Sequence, residues 1–406
     1  MDQRPAYRVD PAGADLAAEI RDLRAAGPAA RVELPGGVPA WAVTDHAVLR
    51  ELLVGPEVSK DPNLHWPAWP AIAQRAPWLL NWVGPINMLN TYGVDHARLR
   101  KLVAPAFTAR RTEAMRPLIT ETATRLLDGL AARPVGEPVD LKAAYAHALP
   151  MEIICSLFGV PVELRADAAR LIEDIVATDG TPEQAQAVLA EVLALLTALI
   201  DRKRETPGDD LTSALIASHD DEAGRLTHEE LIYTLLLVIG AGFETTVNLI
   251  ASTVHALLTH PEQHRRLRDG EVGWSAVIEE GLRWAPSIAT IPLRYAVTDL
   301  ALPDGTVIRA GDAILAHFAA ANRDPAVYGA DADAFRPGRA AEDHLAFGYG
   351  IHRCIGAPLA RAEADTALRL LFDRFPDLRL AVAADTLLPV PSFIAHGVRE
   401  LPVLLH

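Results

Sequence analysis

Cys354 sits in the run Phe347-Gly348-Tyr349-Gly350-Ile351-His352-Arg353-Cys354-Ile355-Gly356, and its surroundings suit a thiolate at work. A thiolate that serves a large flat cofactor has to lie close beneath it. Glycines, which lack Cβ, let the backbone approach and turn there. Gly348, Gly350 and Gly356 flank the cysteine at the spacing such a loop needs. A cysteine used only for packing needs no three glycines, no aromatic seven residues earlier and no histidine two residues earlier. Cys155, in the apolar run Leu149 to Phe158, reads as that packing kind. The two cysteines are 199 residues apart and form no Cys-x-x-Cys pair, so a zinc or iron–sulfur site is a poor fit.

A second constellation is Ala241-Gly242-Phe243-Glu244-Thr245-Thr246, inside a long apolar stretch. Glycine in a helix interior costs about 1 kcal/mol against alanine. A carboxylate in apolar surroundings costs more unless it is paired. Such local rule-breaking tends to mark functional sites. Taken alone, the residues fit equally well a satisfied core glutamate beside a threonine bonded to its own helix carbonyl. Glu280 and Arg283 are three apart, and His96 and Arg100 four apart, so each pair shares a helix face. Alone, either pair reads as ordinary surface charge.

The elements that position these residues are mainly helical. Apolar periodicity predicts helices near 46–54, 94–103, 113–132, 141–159, 163–178, 182–205, 211–218, 227–259, 261–269, 273–284 and 357–375. Thr181-Pro182-Glu183-Gln184 and Thr227-His228-Glu229-Glu230 both read as capped helix starts. The second begins a helix about 50 Å long, the expected central beam. Val32 to Leu34 and Ala40 to Val43, around Pro35-Gly36-Gly37, predict a hairpin. Pro292 to Val297, Val307-Ile308, Ala313 to Phe318 and the tail from Leu378 to Leu405 add short strands, with Asp304-Gly305 as a turn. The stretch from Pro56 to Tyr92 is irregular, but it holds Trp66, Trp69, Trp78 and Trp82, which argues for order. The fold class is therefore mainly α with a small β-sheet region.

The chain has 406 residues, is half hydrophobic and carries a net charge of −15. That composition is globular with a large core. Without linkers, repeats or low-complexity tracts, residues 1–406 read as one domain. The acidic balance argues against nucleic acid and anionic membranes as partners. Met1 to Pro5 lack the order of a signal peptide, and Leu231 to Gly242 is too short to span a bilayer. Two unpaired cysteines suit a reducing cytoplasm.

The pattern Phe-x-x-Gly-x-His-x-Cys-x-Gly resembles the haem-binding signature of the cytochrome P-450 family, with every fixed position present. Ala241 to Thr245 is similar to that family's oxygen-binding groove, and Glu280-x-x-Arg283 to its Glu-x-x-Arg element. Ala321-Asn322-Arg323-Asp324-Pro325 and Ala106 to Arg111 look like segments of soluble actinobacterial members, so the resemblance spans nearly the whole chain. It implies the cytochrome P-450 fold, with the long helix lying over a haem b. Cys354 would be the axial iron ligand, with Gly348 in its loop and Phe347 shielding the sulfur. Ala241 and Gly242 would leave space over the iron. Thr245 would hydrogen-bond dioxygen, and Glu244 would relay protons. His96, Arg100, Arg294 and His352 would hold the haem propionates, while Arg98 reads as a solvated charge. Arg339 would join Glu280 and Arg283 to fix the cysteine loop. The substrate walls would be Asn87, Met88, Leu89, Val238, Ala241, Ser287, Ile288, Ala289, Thr290, Ile291, Phe393 and Ile394.

The implied activity inserts one oxygen atom from dioxygen into a bulky apolar substrate. A steroid-like molecule is expected ahead of a macrolide or polyketide. Electrons would come from a ferredoxin and a separate NAD(P)H-dependent reductase. Lys101, Arg110, Arg111, Arg353 and Arg361 are the expected docking cations. A haem-thiolate peroxygenase or isomerase, a non-enzymatic haem sensor and a haem-free helical protein are the alternatives.

Overall fold

In the computed structural model the described residues are 6–76, 78–176, 181–220, 226–340 and 344–406. The helix His228–Thr259 runs through the interior. Its start is fixed locally. The Thr227 side chain accepts from Glu230 N–H, and the Glu230 carboxylate accepts from Thr227 N–H. The helix packs on Ala148–Phe158, Pro182–Glu205, Trp274–Trp284 and Ala357–Arg374, which together form the main apolar core. By length and composition it could cross a bilayer, which corrects the expectation that no apolar stretch is long enough, but 67% of that apolar window is buried inside the protein. It is a core helix.

Most helices start and stop close to the expected places, and the departures have local causes. The helix expected at 113 begins at Ala109, because Thr108 caps it by accepting from Arg111 N–H. The helix expected over 141–159 is a π-helical segment Lys142–His147 followed by Ala148–Phe158, and Gly159 ends it at φ +61°. The helix expected over 163–178 is described as Arg165–Val176; its last two residues lie outside the described residues, as do Met1 to Pro5. The helix Leu16–Ala26, capped by Asp15, was not expected. Its apolar face is Leu16, Ile20 and Leu23 plus small residues.

The tryptophan-rich stretch is ordered, with short helices Pro62–His65, Trp69–Arg75 and Trp78–Trp82. Trp66 stacks between Trp69 and Tyr295 at 5.6 and 5.0 Å.

A six-stranded sheet packs at one side, in the order Tyr7–Arg8, Ala29–Leu34, Val38–Val43, Ala313–Ala316, Ile291–Ala296, Val58–Ser59. The predicted hairpin pairs Ala29 with Val43 through Leu34 with Val38. Leu300–Ala301 pairs with Val307–Ile308 across the turn at Asp304-Gly305. The strand expected to reach Phe318 stops at Ala316, and Phe318–Ala321 is a helical turn that His317 caps. Of the C-terminal tail only Arg379–Leu380 and Pro402–Leu404 are strands, paired in one small sheet with Val139–Asp140.

Candidate active site

The Cys354 loop is built from short-range backbone bonds. Gly348 N–H donates to Leu345 O, Arg353 N–H to Gly350 O, and Cys354 N–H to Phe347 O at 2.8 Å. Gly350 has φ +71°, and a Cβ there would lie 2.4 Å from the Leu53 carbonyl oxygen, so only glycine fits. The chain then enters the helix Ala357–Arg374 with Pro358 in its first turn. The N–H groups of Gly356 and Ala357 point at the Cys354 sulfur. Burial raises the thiol above its ordinary range, and these N–H groups, with Arg100 and Arg361, oppose that rise. The sulfur is reachable by water yet surrounded by protein at longer range, so it faces an internal cleft. Phe347 lies beneath the Arg361 guanidinium at 4.6 Å. Arg361 in turn makes a bidentate bridge to Glu279, at 2.6 and 2.7 Å. Cys155, by contrast, is fully buried against Met151, and burial pushes its thiol up to about 11.

On the long helix, Ala241 is exposed and Thr245 half-buried, while Phe243, Glu244, Thr246 and Val247 are buried. The Thr245 hydroxyl donates to Ala241 O at 2.5 Å, and Ser287 Oγ donates to Thr245 O at 2.6 Å. Glu244 is satisfied inside the protein. Asn248 Nδ2 donates to its Oε1 at 2.9 Å, and Lys142 Nζ stands 3.9 Å away. Gly242 departs from the expectation that it opens space over the iron. A Cβ there would come within 2.7 Å of Ile154 Cδ1, so this glycine serves contact with the helix Ala148–Phe158.

Four chain segments bring cations together. His96 and His352 lie with ring centroids 4.2 Å apart. Arg100 Nη2 donates to the Arg353 carbonyl at 2.7 Å, tying its helix to the cysteine loop. Arg294 is buried, and burial lowers its guanidinium to about 10. Burial, then Arg294, Lys60, His96 and Arg100, drive His352 down to about 2. No acid is named in that effect; Arg294, Lys60 and Arg100 supply the positive charge. Lys60 belongs to this set and was missed in the sequence. It is 2% exposed, donates only weakly to Pro292 O at 3.3 Å, and is pushed well below its ordinary value by burial and then by Arg294. A single lysine beside Ser59 in an irregular stretch carries no signal of its own. His96 Nε2 and Arg294 Nη1 are buried without a hydrogen-bond partner among the described residues. Buried donors left without partners are costly. The set therefore fits a ligand with two carboxylates, such as the propionates of a porphyrin.

Glu280 is the centre of a buried anchor. Arg283 donates to both its oxygens at 2.7 and 2.8 Å, Arg339 Nε to Oε1 at 3.1 Å, and Arg336 N–H to Oε1 at 2.6 Å. Arg283 also donates to the carbonyls of Asn322, Ala332 and Ala334, and Arg339 to those of Tyr328, Asp331 and Ala334. The segment leading to the cysteine loop is thus pinned by two arginines.

The residues proposed as substrate walls are placed unevenly. Met88, Leu89, Ile288 and Ile291 are half-buried, and Ala241 is exposed. Val238 is in the main core. Asn87 is buried, and its Oδ1 accepts from Leu89 and Asn90 N–H, closing its own loop. Thr290 Oγ1 donates to the Phe393 carbonyl, Phe393 packs edge-on to Trp78, and Ala289 sits with Ile20, Ala319 and Ala320. Of the docking cations, Lys101, Arg110, Arg111 and Arg353 are exposed, whereas Arg361 is committed to Glu279. Arg98 is no free surface charge, since it bridges to Glu230 at the start of the long helix.

A thiol-bearing loop, an acid–alcohol pair on a central helix and a buried cation set together fit a haem-thiolate oxygenase site. The comparisons agree. The family model Cytochrome P450 matches residues 182–270 and 274–379. The 2-hydroxy-5-methyl-1-naphthoate 7-hydroxylase of Streptomyces carzinostaticus is 43% identical over 98% of this chain and 97% of its own. The structure of CYP154A1 from Streptomyces coelicolor A3(2) superposes with a TM-score of 0.95 at 51% identity, covering 99% of this chain and 100% of that one. A structure described as "Testerone bound CYP154C4 from Streptomyces sp. ATCC 11861" gives 0.95 at 42%, covering 99% and 98%. This chain belongs to the cytochrome P450 family and is a monooxygenase. The family implies a haem cofactor, a small-molecule substrate and redox partners.

Proposed function

We propose that residues 1–406 form one catalytic domain, a ferredoxin-dependent monooxygenase of the cytoplasm. It holds haem b through Cys354 and hydroxylates a bulky apolar substrate of steroid type. Haem supplies the activation of dioxygen when bound. The chain's own residues do the rest. Gly356 and Ala357 N–H groups point at the sulfur, which tempers its donation, and Phe347 is held in the loop under Arg361. His96, Arg100, Arg294, His352 and Lys60 bind the two propionates. Glu280, Arg283 and Arg339 fix the approach to the loop. Ala241 leaves room on the distal side. Thr245 holds a proton at Oγ1, which now bonds the Ala241 carbonyl and can turn outward to donate, and Glu244 refills it.

The observation that carries the reading is the single thiol loop combined with three buried or half-buried cations, Lys60, Arg100 and Arg294, and two neutral histidines, His96 and His352, with no acid named among them. Steroid preference rests on the half-buried apolar walls Met88, Leu89, Ile288 and Ile291 and on the ligand of the CYP154C4 structure. A binding screen on the haem-loaded protein tests it. Steroids should give a spectral shift and a hydroxylated product with a ferredoxin and its reductase. Shifts only with macrolactones would move the assignment to that class. A Cys354→Ser protein that kept a thiolate-type carbonyl spectrum would overturn the whole reading.

A further inference from the structure

We propose that the long helix carries a buried, water-lined proton file along the face Glu244, Asn248, Ser252 and His255, which takes protons in at His255 and delivers them to Glu244. The inference rests on the monooxygenase reading above and adds a route to it.

The spacing is four, four and three residues, which returns to one helix face after three turns, about 16 Å along the axis. Glu244, Asn248 and Ser252 are 6%, 0% and 5% exposed, in the middle of the main apolar core. His255 is partly exposed, while its Nε2 is buried, so the ring spans from surface to interior. A polar row through a core needs partners, and two of its atoms have none. Asn248 Oδ1 and His255 Nε2 have no hydrogen-bond partner among the described residues. The facing segment adds a third such atom, His396 Nδ1. His396 is held there by its backbone N–H, which donates to the Ser287 carbonyl at 2.9 Å, and by a ring bond to the Pro286 carbonyl. The same segment touches the row, since a Cβ on Gly397 would lie 2.4 Å from Asn248 Oδ1.

Three buried polar atoms left unpaired would each cost about 1–3 kcal/mol, and ordered water removes that cost. Side chains four apart on a helix stand about 6 Å from one another, a gap that one bridging water fills. At the inner end Asn248 Nδ2 already donates to Glu244 at 2.9 Å. Burial holds both His255 and His396 below the ordinary imidazole range, so each is neutral, with one donor and one acceptor nitrogen.

Monooxygenation consumes one dioxygen, two electrons from a one-electron carrier protein and two protons. One oxygen atom enters the C–H bond as a hydroxyl group, and the other leaves as water. The file supplies the two protons and is itself unchanged after each passage. The competing entrance is Lys142, 3.9 Å from Glu244 and 12% exposed at its side chain.

His255→Leu and Ser252→Ala test the route. Turnover driven by dioxygen and reductant needs both protons delivered, whereas hydrogen peroxide brings its own. Removing a proton-transfer station should lower the ratio of dioxygen-driven to peroxide-driven product about tenfold, with reductant oxidised without product. His255→Gln, which can still hold water, should restore the ratio. Lys142→Met should move it less than His255→Leu does. A high-resolution crystal structure should place waters on Asn248 Oδ1 and His255 Nε2, displaced in His255→Leu. Dry atoms at those positions, or uncoupling by Lys142→Met and not by His255→Leu, would overturn the file. A wild-type protein that makes product with neither oxidant would refute the monooxygenase reading, while the water positions would still decide the file.

Discussion

The buried charges around Glu280 and those around His352 differ in balance. Around Glu280 every charge has a partner. Two arginines share the Glu280 carboxylate, Arg339 also bridges to Asp331 at 2.7 Å, and the other donors end on backbone carbonyls. Around His352 the partners are all of one sign, and His96 Nε2 and Arg294 Nη1 are left unpaired. A protein does not bury like charges together for its own stability. The balanced cluster therefore reads as a structural pin. The unbalanced one reads as a binding site whose counter-ions arrive with the ligand.

The contrast breaks most sharply at the balanced cluster. Glu280→Gln leaves buried Arg283 without its anion, while Arg339 keeps Asp331, and stability should fall by about 3–5 kcal/mol. Denaturant unfolding checks this, and a loss below about 1 kcal/mol would mean the carbonyl bonds alone hold the arginines. Arg294→Met should act on ligand retention instead. Losing one charge-assisted bond, worth about 1.5–3 kcal/mol, should speed haem loss to a scavenger at least tenfold. Lys60→Met should give opposite signs in the two states. The haem-free protein should gain about 1 kcal/mol or more as a buried charge disappears, while the loaded protein loses haem faster. A Lys60→Met protein destabilised in both states would remove Lys60 from the site.

The smallest effect is at Glu279. Burial raises its carboxyl, but hydrogen bonds from Arg361 and then His344 outweigh that and hold it at about 2, against an ordinary 4.5. A depressed carboxyl stabilises the fold above its unfolded value, and that contribution is lost as pH falls from about 4.5 to about 2. Arg361→Met should therefore cost at most about 1 kcal/mol at neutral pH, since the pair is a third exposed. The gap to wild type should close across that acid window in a pH series of thermal melts.

How much could be read in advance follows from how local each feature is. The cysteine loop was legible because its bonds run between residues seven or fewer apart, from Leu345 to Cys354. The caps at Thr181 and Thr227 were legible for the same reason. The pairing of Glu280 with Arg339, 59 residues on, was reached only through resemblance. Lys60 was not reached at all, because its company comes from residues 294 and 352.

By itself the sequence determined the helix starts, the turn that only glycine can make at Gly350, and which cysteine could serve as a ligand, since backbone sterics and short-range hydrogen bonds settle those. Tertiary structure alone decided that Gly242 faces Ile154, that Arg98 answers Glu230 and Arg361 answers Glu279, and that Lys60, Arg100 and Arg294 gather around His96 and His352. Those outcomes depend on which distant segments come to lie within a few ångströms, and packing of the core around His228–Thr259 fixes that.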